Sequence, residues 1–168
     1  LHDLTGSGQT LLRDTWDRLV PLVGEDRIAV VTGRAHRAAV EAEIPDILDI
    51  NVILESEPRD SAAAIGLAAA ILMRREPDVI IGSFHADHVI KGLRLFEHAV
   101  RQAVAVASAG YICTIGIPPT EPAIGFGYRK RANELIIDGA PEARFVERFV
   151  EKPDLETARE YIADRDYL

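Results

Sequence analysis

Short β-branched apolar runs alternate along this sequence with longer segments of helical periodicity, and no other feature constrains the fold as much. A short run of this kind is typical of a strand buried in a parallel sheet, whereas apolar residues three and four positions apart indicate a helix. The predicted strands are 28–32, 50–55, 79–82 and 111–117. The predicted helices are 9–23, 35–43, 62–75, 93–109 and 155–163. Because strands and helices alternate at this spacing, we predict an α/β fold, a Rossmann-like three-layer core with a mixed, mainly parallel sheet and helices on both faces.

A proline-rich segment interrupts this alternation. Three prolines within residues 118–122 break regular structure. We therefore predict that the segment 118–150 is antiparallel, with a hairpin at 129–137 that leads into a strand at 144–151. The predicted helix N-caps are Ser61 and Asp154.

Charge and composition exclude several classes of protein. The 168 residues carry a formal net charge of −8, which disfavours a nucleic-acid partner. The longest apolar run, 62–73, is too short to cross a bilayer, and no positively charged leader opens the sequence, so we expect a cytoplasmic protein without a membrane partner. Cys113 is the sole cysteine. It excludes an internal disulfide, and its apolar surroundings predict a buried, reduced thiol.

The predicted strand 79–82 runs directly into a polar loop that holds Asp87 between His85 and His88. In open α/β sheets, ligands bind outside the carboxyl ends of the strands. A carboxylate at that place would hold Mg²⁺, which prefers one or two carboxylates together with phosphate oxygens and water. The alternative is a solvated Asp87 that caps the next helix. The two histidines have no third histidine or cysteine nearby, so they indicate packing or hydrogen bonding rather than zinc.

Three further segments are candidate ligand contacts. The turn 56–61 leads into a helix N-terminus, which suits a phosphate or a base edge, or simply an N-cap at Ser61. Gly125 and Gly127 lack the third glycine and the helix of a dinucleotide fingerprint, so they indicate either a close backbone approach to a ligand or a bulge. The pair 151–152, a glutamate and a lysine, could bind a hydroxyl and a phosphate, or form a surface ion pair.

Four segments in the same order resemble the motifs of mannose-1-phosphate guanylyltransferases, members of the sugar nucleotidyltransferase superfamily. The first is Glu-Pro-Arg-Asp-Ser-Ala at 57–62 with its alanine-rich helix, and the second is Ser-Phe-His-Ala-Asp-His at 83–88. The third is Gly-Ile-Pro-Pro-Thr-Glu-Pro at 116–122 followed by Gly-Phe-Gly-Tyr at 125–128. The fourth is Phe-Val-Glu-Lys-Pro at 149–153. Together they extend from residue 57 to residue 153 of the 168.

The resemblance implies a Mg²⁺-dependent enzyme that converts GTP and mannose 1-phosphate into GDP-mannose and pyrophosphate. Asp87 would be the metal ligand, and it would share the catalytic role with Lys152 on the sugar phosphate. The nucleotide-binding residues would be Glu57, Pro58, Arg59, Ser61, Ala62, Ala86 and His88. The sugar-binding residues would be Gly125, Gly127 and Glu151. The sequence leaves the oligomeric state open, with a homodimer as one option.

Some positions depart from the family pattern, and some of its motifs are expected outside this sequence. The departures are Asp60, His85, Ile124 and Arg129. The family's glycine-rich phosphate loop is expected before Leu1, and its second metal-binding aspartate is expected after Leu168. We therefore expect residues 1–168 to be the internal part of one catalytic domain. Two alternatives stay open: a nucleotidyltransferase for another sugar 1-phosphate or base, and a non-catalytic regulatory homologue that binds nucleotide-sugar.

Overall fold

The computed structural model describes residues 3, 6 and 8–168. The chain divides into two compact units, Leu1–Leu93 and Arg94–Leu168. Each unit combines helices with a pair of strands, so the predicted α/β class is confirmed.

The first unit contains a parallel strand pair flanked by three helices. Its elements are α1 (Leu11–Val23), β1 (Val30–Gly33), α2 (Arg37–Glu43), β2 (Val52–Glu55) and α3 (Asp60–Arg75), with 3₁₀ turns at Glu25–Arg27, Arg34–His36 and Asp49–Asn51. Val30 pairs with Val52 and Gly33 with Glu55 in a parallel register. Both strands therefore end at the same edge of the ladder, where their following loops begin.

An apolar cluster holds the first unit together. Its buried members are Leu12, Trp16, Ile28, Val40 and Ile44. Each buried side chain of this size stabilises the fold by roughly 1.5–3 kcal/mol relative to an exposed one. Thr10 fixes the start of α1, because its Oγ1 accepts the Arg13 N–H at 3.2 Å and donates to Glu43 at 2.8 Å. The sequence of α1 thus supplies both an apolar face and its own N-cap.

The second unit is built on an antiparallel strand pair. Its elements are α4 (Leu93–Ser108), which starts at the boundary between the units, β3 (Gly127–Glu134), β4 (Arg144–Glu151) and α5 (Leu155–Ala163). Gly127 pairs with Glu151, and the register becomes irregular after Lys130. The C-terminal segment 166–168 lies along the other edge of β3, where Arg129 and Leu168 exchange two backbone hydrogen bonds of 2.8 and 3.0 Å. β3 is therefore the middle strand of this unit.

Tyrosines form the core of the second unit. Tyr128, Tyr161 and Tyr167 are buried with Ala158. The Tyr161 and Tyr167 rings stack with centroids 3.9 Å apart, and Tyr128 lies 5.5 Å from Tyr161. This packing joins α5 and the C-terminal segment to β3.

The helices follow the sequence predictions closely, but only one of the two predicted caps is confirmed. Asp154 caps α5, since its Oδ1 accepts the Thr157 N–H at 2.8 Å. Ser61 is not a cap, because α3 already begins at Asp60 and the preceding Arg59 makes no capping side-chain bond. Among the described helices, none has the length and apolar character that crossing a bilayer requires.

Two predicted strands are wrong. Residues 79–82 and 111–117 form no ladder with any described residue. Their side chains also remain open to solvent, with Ile80 42% exposed and Ile112 fully exposed. An apolar run signals a need for burial, but a strand also requires a hydrogen-bonded neighbour, and none of the described segments provides one.

Two other predictions in the second unit need correction. The antiparallel character of 118–150 is confirmed, but the hairpin pairs β3 with β4 instead of lying within 129–137. Cys113 is exposed rather than buried, because the strand 111–117 expected to contain it does not form. Its Sγ contacts the Ala103 carbonyl oxygen at 3.4 Å, and partial desolvation raises the pKa of this thiol.

Candidate functional site

The turn that follows β2 is exposed along its whole length. Residues 56–60 connect the end of β2 to α3, and every one of them faces solvent. Arg59 Nη2 donates to Glu57 Oε2 at 2.9 Å, and both side chains are about two-thirds exposed or more. Such a pair contributes little to stability. The two charges remain accessible to a ligand.

The first turn of α3 offers backbone N–H groups without a capping side chain. The first four amides of a helix lack intrahelical acceptors and carry the positive end of the helix dipole. Ser61 and Ala62 lie in this turn and are exposed. Asp60 has φ = 59°, a left-handed backbone conformation that is unfavourable for a residue with a side chain. The predicted nucleotide-binding turn is therefore open, polar and locally strained.

The loop between α3 and α4 presents Asp87 to solvent. Its carboxylate is 81% exposed and lies 3.9 Å from His88 Nε2. The His85 and His88 rings face each other with centroids 5.1 Å apart. Ala86 lies beside Asp87 in the same exposed turn. The two histidine rings therefore pack against each other, and His88 lies near the aspartate at a distance longer than a hydrogen bond.

Asp87 has the chemistry of a single hard metal ligand. Within the described residues, no group of three or more histidine, cysteine, aspartate or glutamate side chains could enclose a metal ion. Zinc held by protein ligands alone needs such a group. Magnesium does not, because it commonly binds one or two carboxylates and completes its shell with water and substrate phosphates. The exposed Asp87 fits that second arrangement.

The pairing of β3 with β4 assembles the predicted sugar-binding residues. Gly127 stands opposite Glu151 in the ladder. A Cβ added to Gly127 would lie 2.8 Å from Glu151 Oε2 and 2.5 Å from the Phe149 ring. The carboxylate of Glu151 therefore rests against backbone that only glycine leaves uncovered. Gly125 lies two residues earlier in an exposed loop, and a Cβ added there would meet no atom within 4 Å.

Lys152 follows Glu151 at the end of β4 in an unusual conformation. Its φ is 45°, and its N–H donates to the Phe126 carbonyl at 3.2 Å. Nζ lies 3.9 Å from Glu151 Oε1, and both side chains are more than half exposed. The ladder fixes the Lys152 backbone, while its ammonium group and the neighbouring carboxylate stay accessible.

Backbone strain coincides with two of the predicted binding segments. Among the described residues, Asp60 and Lys152 are the only non-glycine residues with positive φ. Such conformations cost of order 1–3 kcal/mol and cluster at functional sites. One lies at the start of α3 and the other at the end of β4, which are two of the four places where the sequence predicts ligand contacts.

Two features near these segments have no assigned role in the sequence analysis. The Arg129 guanidinium lies 5.0 Å from the centre of the Phe149 ring, which places a cation near the glycine–glutamate pair. Tyr128 Oη donates to the Ala123 carbonyl at 2.9 Å and holds the loop before β3. The Arg129 contact depends on cross-strand register, so no local pattern reveals it.

The predicted site residues fall into separate groups. Within the first unit, Glu57 and Arg59 form one contacting pair, and Asp87 with His88 forms another. Within the second unit, the β3–β4 ladder brings together Gly127, Glu151 and Lys152.

Comparison with known proteins identifies relatives along nearly the whole chain. The profile described as nucleotidyl transferase matches residues 4–168. A mannose-1-phosphate guanylyltransferase of Escherichia coli strain K12 is 38% identical over 162 residues, covering 94% of this chain and 34% of that protein. The structure named mannose-1-phosphate geranyltransferase from Thermus thermophilus has a TM-score of 0.79 at 29% identity, covering 95% of this chain and 45% of that one. A mannose-6-phosphate isomerase structure from Helicobacter pylori has a TM-score of 0.73 at 26% identity, covering 95% and 58%.

These comparisons agree on the family more closely than on the reaction. The chain spans about a third of the length of the curated relatives it matches. The two similar structures carry names of different reactions, so shared fold alone does not fix the chemistry. The family profile, in contrast, covers all but the first three residues. The chain belongs to the nucleotidyl transferase family.

Proposed function

We propose that this chain is part of a mannose-1-phosphate guanylyltransferase, which makes GDP-mannose and pyrophosphate from GTP and mannose 1-phosphate. The observation that carries the proposal is the end of β4, where Glu151 rests against Gly127 and the strained Lys152 follows directly. A carboxylate and an ammonium group side by side suit a ligand that carries both hydroxyls and a phosphate. The identity to an enzyme named for this reaction supports the choice.

The nucleotide is proposed to bind the first unit. Guanine would contact the turn at Glu57, Pro58 and Arg59, and the exposed amides of Ser61 and Ala62 would face its polar edge. Ala86 and His88 would flank the nucleotide on the loop that carries Asp87. These groups are solvent-exposed, and the start of α3 offers donors without an internal acceptor.

Asp87 is the proposed ligand for Mg²⁺. When bound, the ion supplies charge neutralisation at the reacting phosphates. The nucleophile is a phosphate oxygen of mannose 1-phosphate, which is already anionic and requires no general base. It forms a bond to the α-phosphorus of GTP, the bond to the β-phosphate oxygen breaks, and pyrophosphate leaves. The task of the protein is then positioning and electrostatic stabilisation.

The sugar phosphate is proposed to bind the second unit. Glu151 would accept hydrogen bonds from mannose hydroxyls, with the backbone at Gly125 and Gly127 close to the ring. The ammonium group of Lys152 would bind the phosphate. Its backbone conformation is fixed by the bond to the Phe126 carbonyl, so the side chain starts from a defined position.

The setting of the enzyme is also proposed. We infer that both units belong to one catalytic domain, that the protein works in the cytoplasm in the biosynthesis of GDP-mannose, and that it can form a homodimer. The net charge of −8 supports a small ligand rather than a nucleic acid, because it would repel a phosphate backbone.

The test is pyrophosphate release by the full chain, with GTP or ATP crossed against mannose 1-phosphate or glucose 1-phosphate. Release with GTP and mannose 1-phosphate alone is expected. Release with a different pair would favour a nucleotidyltransferase for another sugar or base. No release from a folded protein that still binds GDP-mannose would favour the regulatory homologue and overturn the proposal.

A further inference from the structure

β4 has one paired edge and one open edge. β3 occupies the first, and no described residue pairs with the second. The strand is exposed over most of its length, with Val146 55% and Phe149 51% exposed. An open strand edge presents unpaired backbone donors and acceptors that can template pairing with another chain.

Hydrogen bonding of β3 shows which residues of β4 face this open edge. Arg129 and Arg131 direct their N–H groups to carbonyls of the segment 166–168, away from β4. In an antiparallel ladder, two opposite residues direct their backbone groups alike. If the N–H and C=O of one point away from the partner strand, those of the other also point away. Phe149 is paired with Arg129, and Val146 with Arg131. Phe149 and Val146 therefore direct their backbone groups to the open edge.

A bulge allows Val146 and Phe149, which are three positions apart, to direct their backbone groups to the same edge. Lys130 pairs with Arg148 and the next residue of β3 pairs with Val146, so Glu147 is an extra residue on β4. In a regular strand, residues three apart face opposite edges. The extra residue lets Val146 and Phe149 face the same one.

The sequence of β4 is complementary to itself in the antiparallel direction. It reads Arg-Phe-Val-Glu twice, from Arg144 to Glu151. When two copies run antiparallel about a centre between Glu147 and Arg148, every arginine opposes a glutamate and every phenylalanine opposes a valine. The pairs are Arg144 with Glu151, Phe145 with Val150, Val146 with Phe149, and Glu147 with Arg148. In this register, Val146 of one copy stands opposite Phe149 of the other, and both direct their backbone groups to the shared edge.

We propose that two copies of this chain pair through the open edges of β4 and form a two-fold symmetric dimer. The contact is isologous, because the same strand serves both copies. Backbone hydrogen bonds would form at Val146 and Phe149, whose half-exposed side chains would lose contact with water. Aromatic–β-branched and opposite-charge pairs are both favourable across strands, and like charges, which would destabilise the pairing, never face each other.

The two Val146–Phe149 pairs carry the inference. Charged residues of β4 already have partners within the same copy: Arg144 bonds Glu134 at 3.0 Å, Glu147 lies 3.7 Å from Lys130, and Arg148 bonds Tyr167. The charged pairs between copies can therefore be lost while the two Val146–Phe149 pairs remain. The contact does not rest on the proposed reaction, since a protein without transferase activity could still dimerise through this edge.

The experiment is mass determination of the full chain by light scattering after size-exclusion chromatography, over a range of concentrations. The parent protein is expected to be a dimer, and Val146→Lys should weaken it at least tenfold by facing a charge to Phe149. Adding Phe149→Glu should restore the dimer, because each new lysine then opposes a new glutamate. Ile136→Lys is the matched control, since Ile136 is 92% exposed and lies outside β4.

A cysteine variant tests the register without adding charge. Hydrogen-bonded residues in an antiparallel pair have Cα atoms about 5.5 Å apart, within the range that a disulfide spans. Val146→Cys with Phe149→Cys, in a Cys113→Ser background, should therefore oxidise to a covalent dimer joined between positions 146 and 149. A monomeric parent protein, an undiminished Val146→Lys dimer, or failure of both the charge rescue and the cross-link would overturn the proposal.

Discussion

Replacing Gly127 with alanine should separate the ligand-binding role of the β3–β4 ladder from its structural role. The added Cβ would lie 2.8 Å from Glu151 Oε2 and 2.5 Å from the Phe149 ring. Real Cβ atoms do not approach other atoms this closely, so the glutamate and phenylalanine side chains must move. Both are side chains with free solvent beside them, and the strand backbone can stay in place.

The structure gives the expected sizes of the two effects. Overpacking of a rigid core lowers the free energy of unfolding by about 1–3 kcal/mol. The side chains that must move at Gly127 are half-exposed and can shift into solvent, so we expect a loss of about 1 kcal/mol or less here. The effect on sugar binding should be larger. Loss of a hydrogen bond to a charged group costs about 1.5–3 kcal/mol, which corresponds to about a 10- to 150-fold decrease in kcat/KM for the sugar phosphate.

Gly66 in α3, which has no proposed ligand role, provides the control. A Cβ at Gly66 meets no atom within 4 Å, so Gly66→Ala should change kcat/KM by no more than about twofold. Steady-state pyrophosphate release with varied mannose 1-phosphate measures the kinetic effect, and urea unfolding measures stability. Equal activity of Gly127→Ala and the parent protein, or equal damage from the two alanines, would refute the role given to the Gly127–Glu151 contact.

Three further predictions concern single side chains. Asp87→Asn should remove the Mg²⁺-dependent thermal stabilisation by GDP-mannose, and a persistent Mg²⁺ effect would exclude Asp87 as the ligand. Lys152→Gly should have a free energy of unfolding in urea about 1 kcal/mol higher than that of Lys152→Ala, since glycine adopts the positive φ without strain. Both variants should lose affinity for the sugar phosphate. The Thr157 N–H holds the pKa of Asp154 below its ordinary value. The stability that ionised Asp154 gives the folded protein is therefore complete above about pH 3.9 and is lost as the pH falls through the lowered pKa. Thermal melts of Asp154→Ala against the parent protein should therefore converge in acid, and a constant difference would contradict this.

The sequence predicts the helices well because helical signals are local. The apolar spacing of α1 lies within the helix itself, and the Asp154 cap acts over three residues. Strand formation depends on a partner elsewhere in the chain. The apolar runs at 79–82 and 111–117 have the composition of strands, yet no strand among the described residues pairs with them. The same composition is thus compatible with a ladder or with an exposed segment.

The candidate site shows a similar division. Residue identities such as Asp87 and the Glu151–Lys152 pair are visible in sequence, because each motif is contiguous. The left-handed backbone at Asp60 and Lys152 is not, since neither residue type requires it. The position of Arg129 over Phe149 is also not visible in the sequence, because it follows from the pairing of residues across two strands. Local pattern therefore predicts which residues are present, and ladder pairing determines what they contact.

Stability and ligand chemistry depend on different residues in this protein. The charged groups with proposed ligand roles form exposed pairs, Glu57 with Arg59 and Glu151 with Lys152, and such pairs contribute about 0–1 kcal/mol. The elements that carry them are held by buried apolar clusters and backbone ladders elsewhere in each unit. Substitution of the ligand-binding groups should consequently change affinity while leaving the fold intact. The strained backbone at Lys152 is where the two requirements meet, because the ladder that stabilises the unit also holds that residue in its unfavourable conformation.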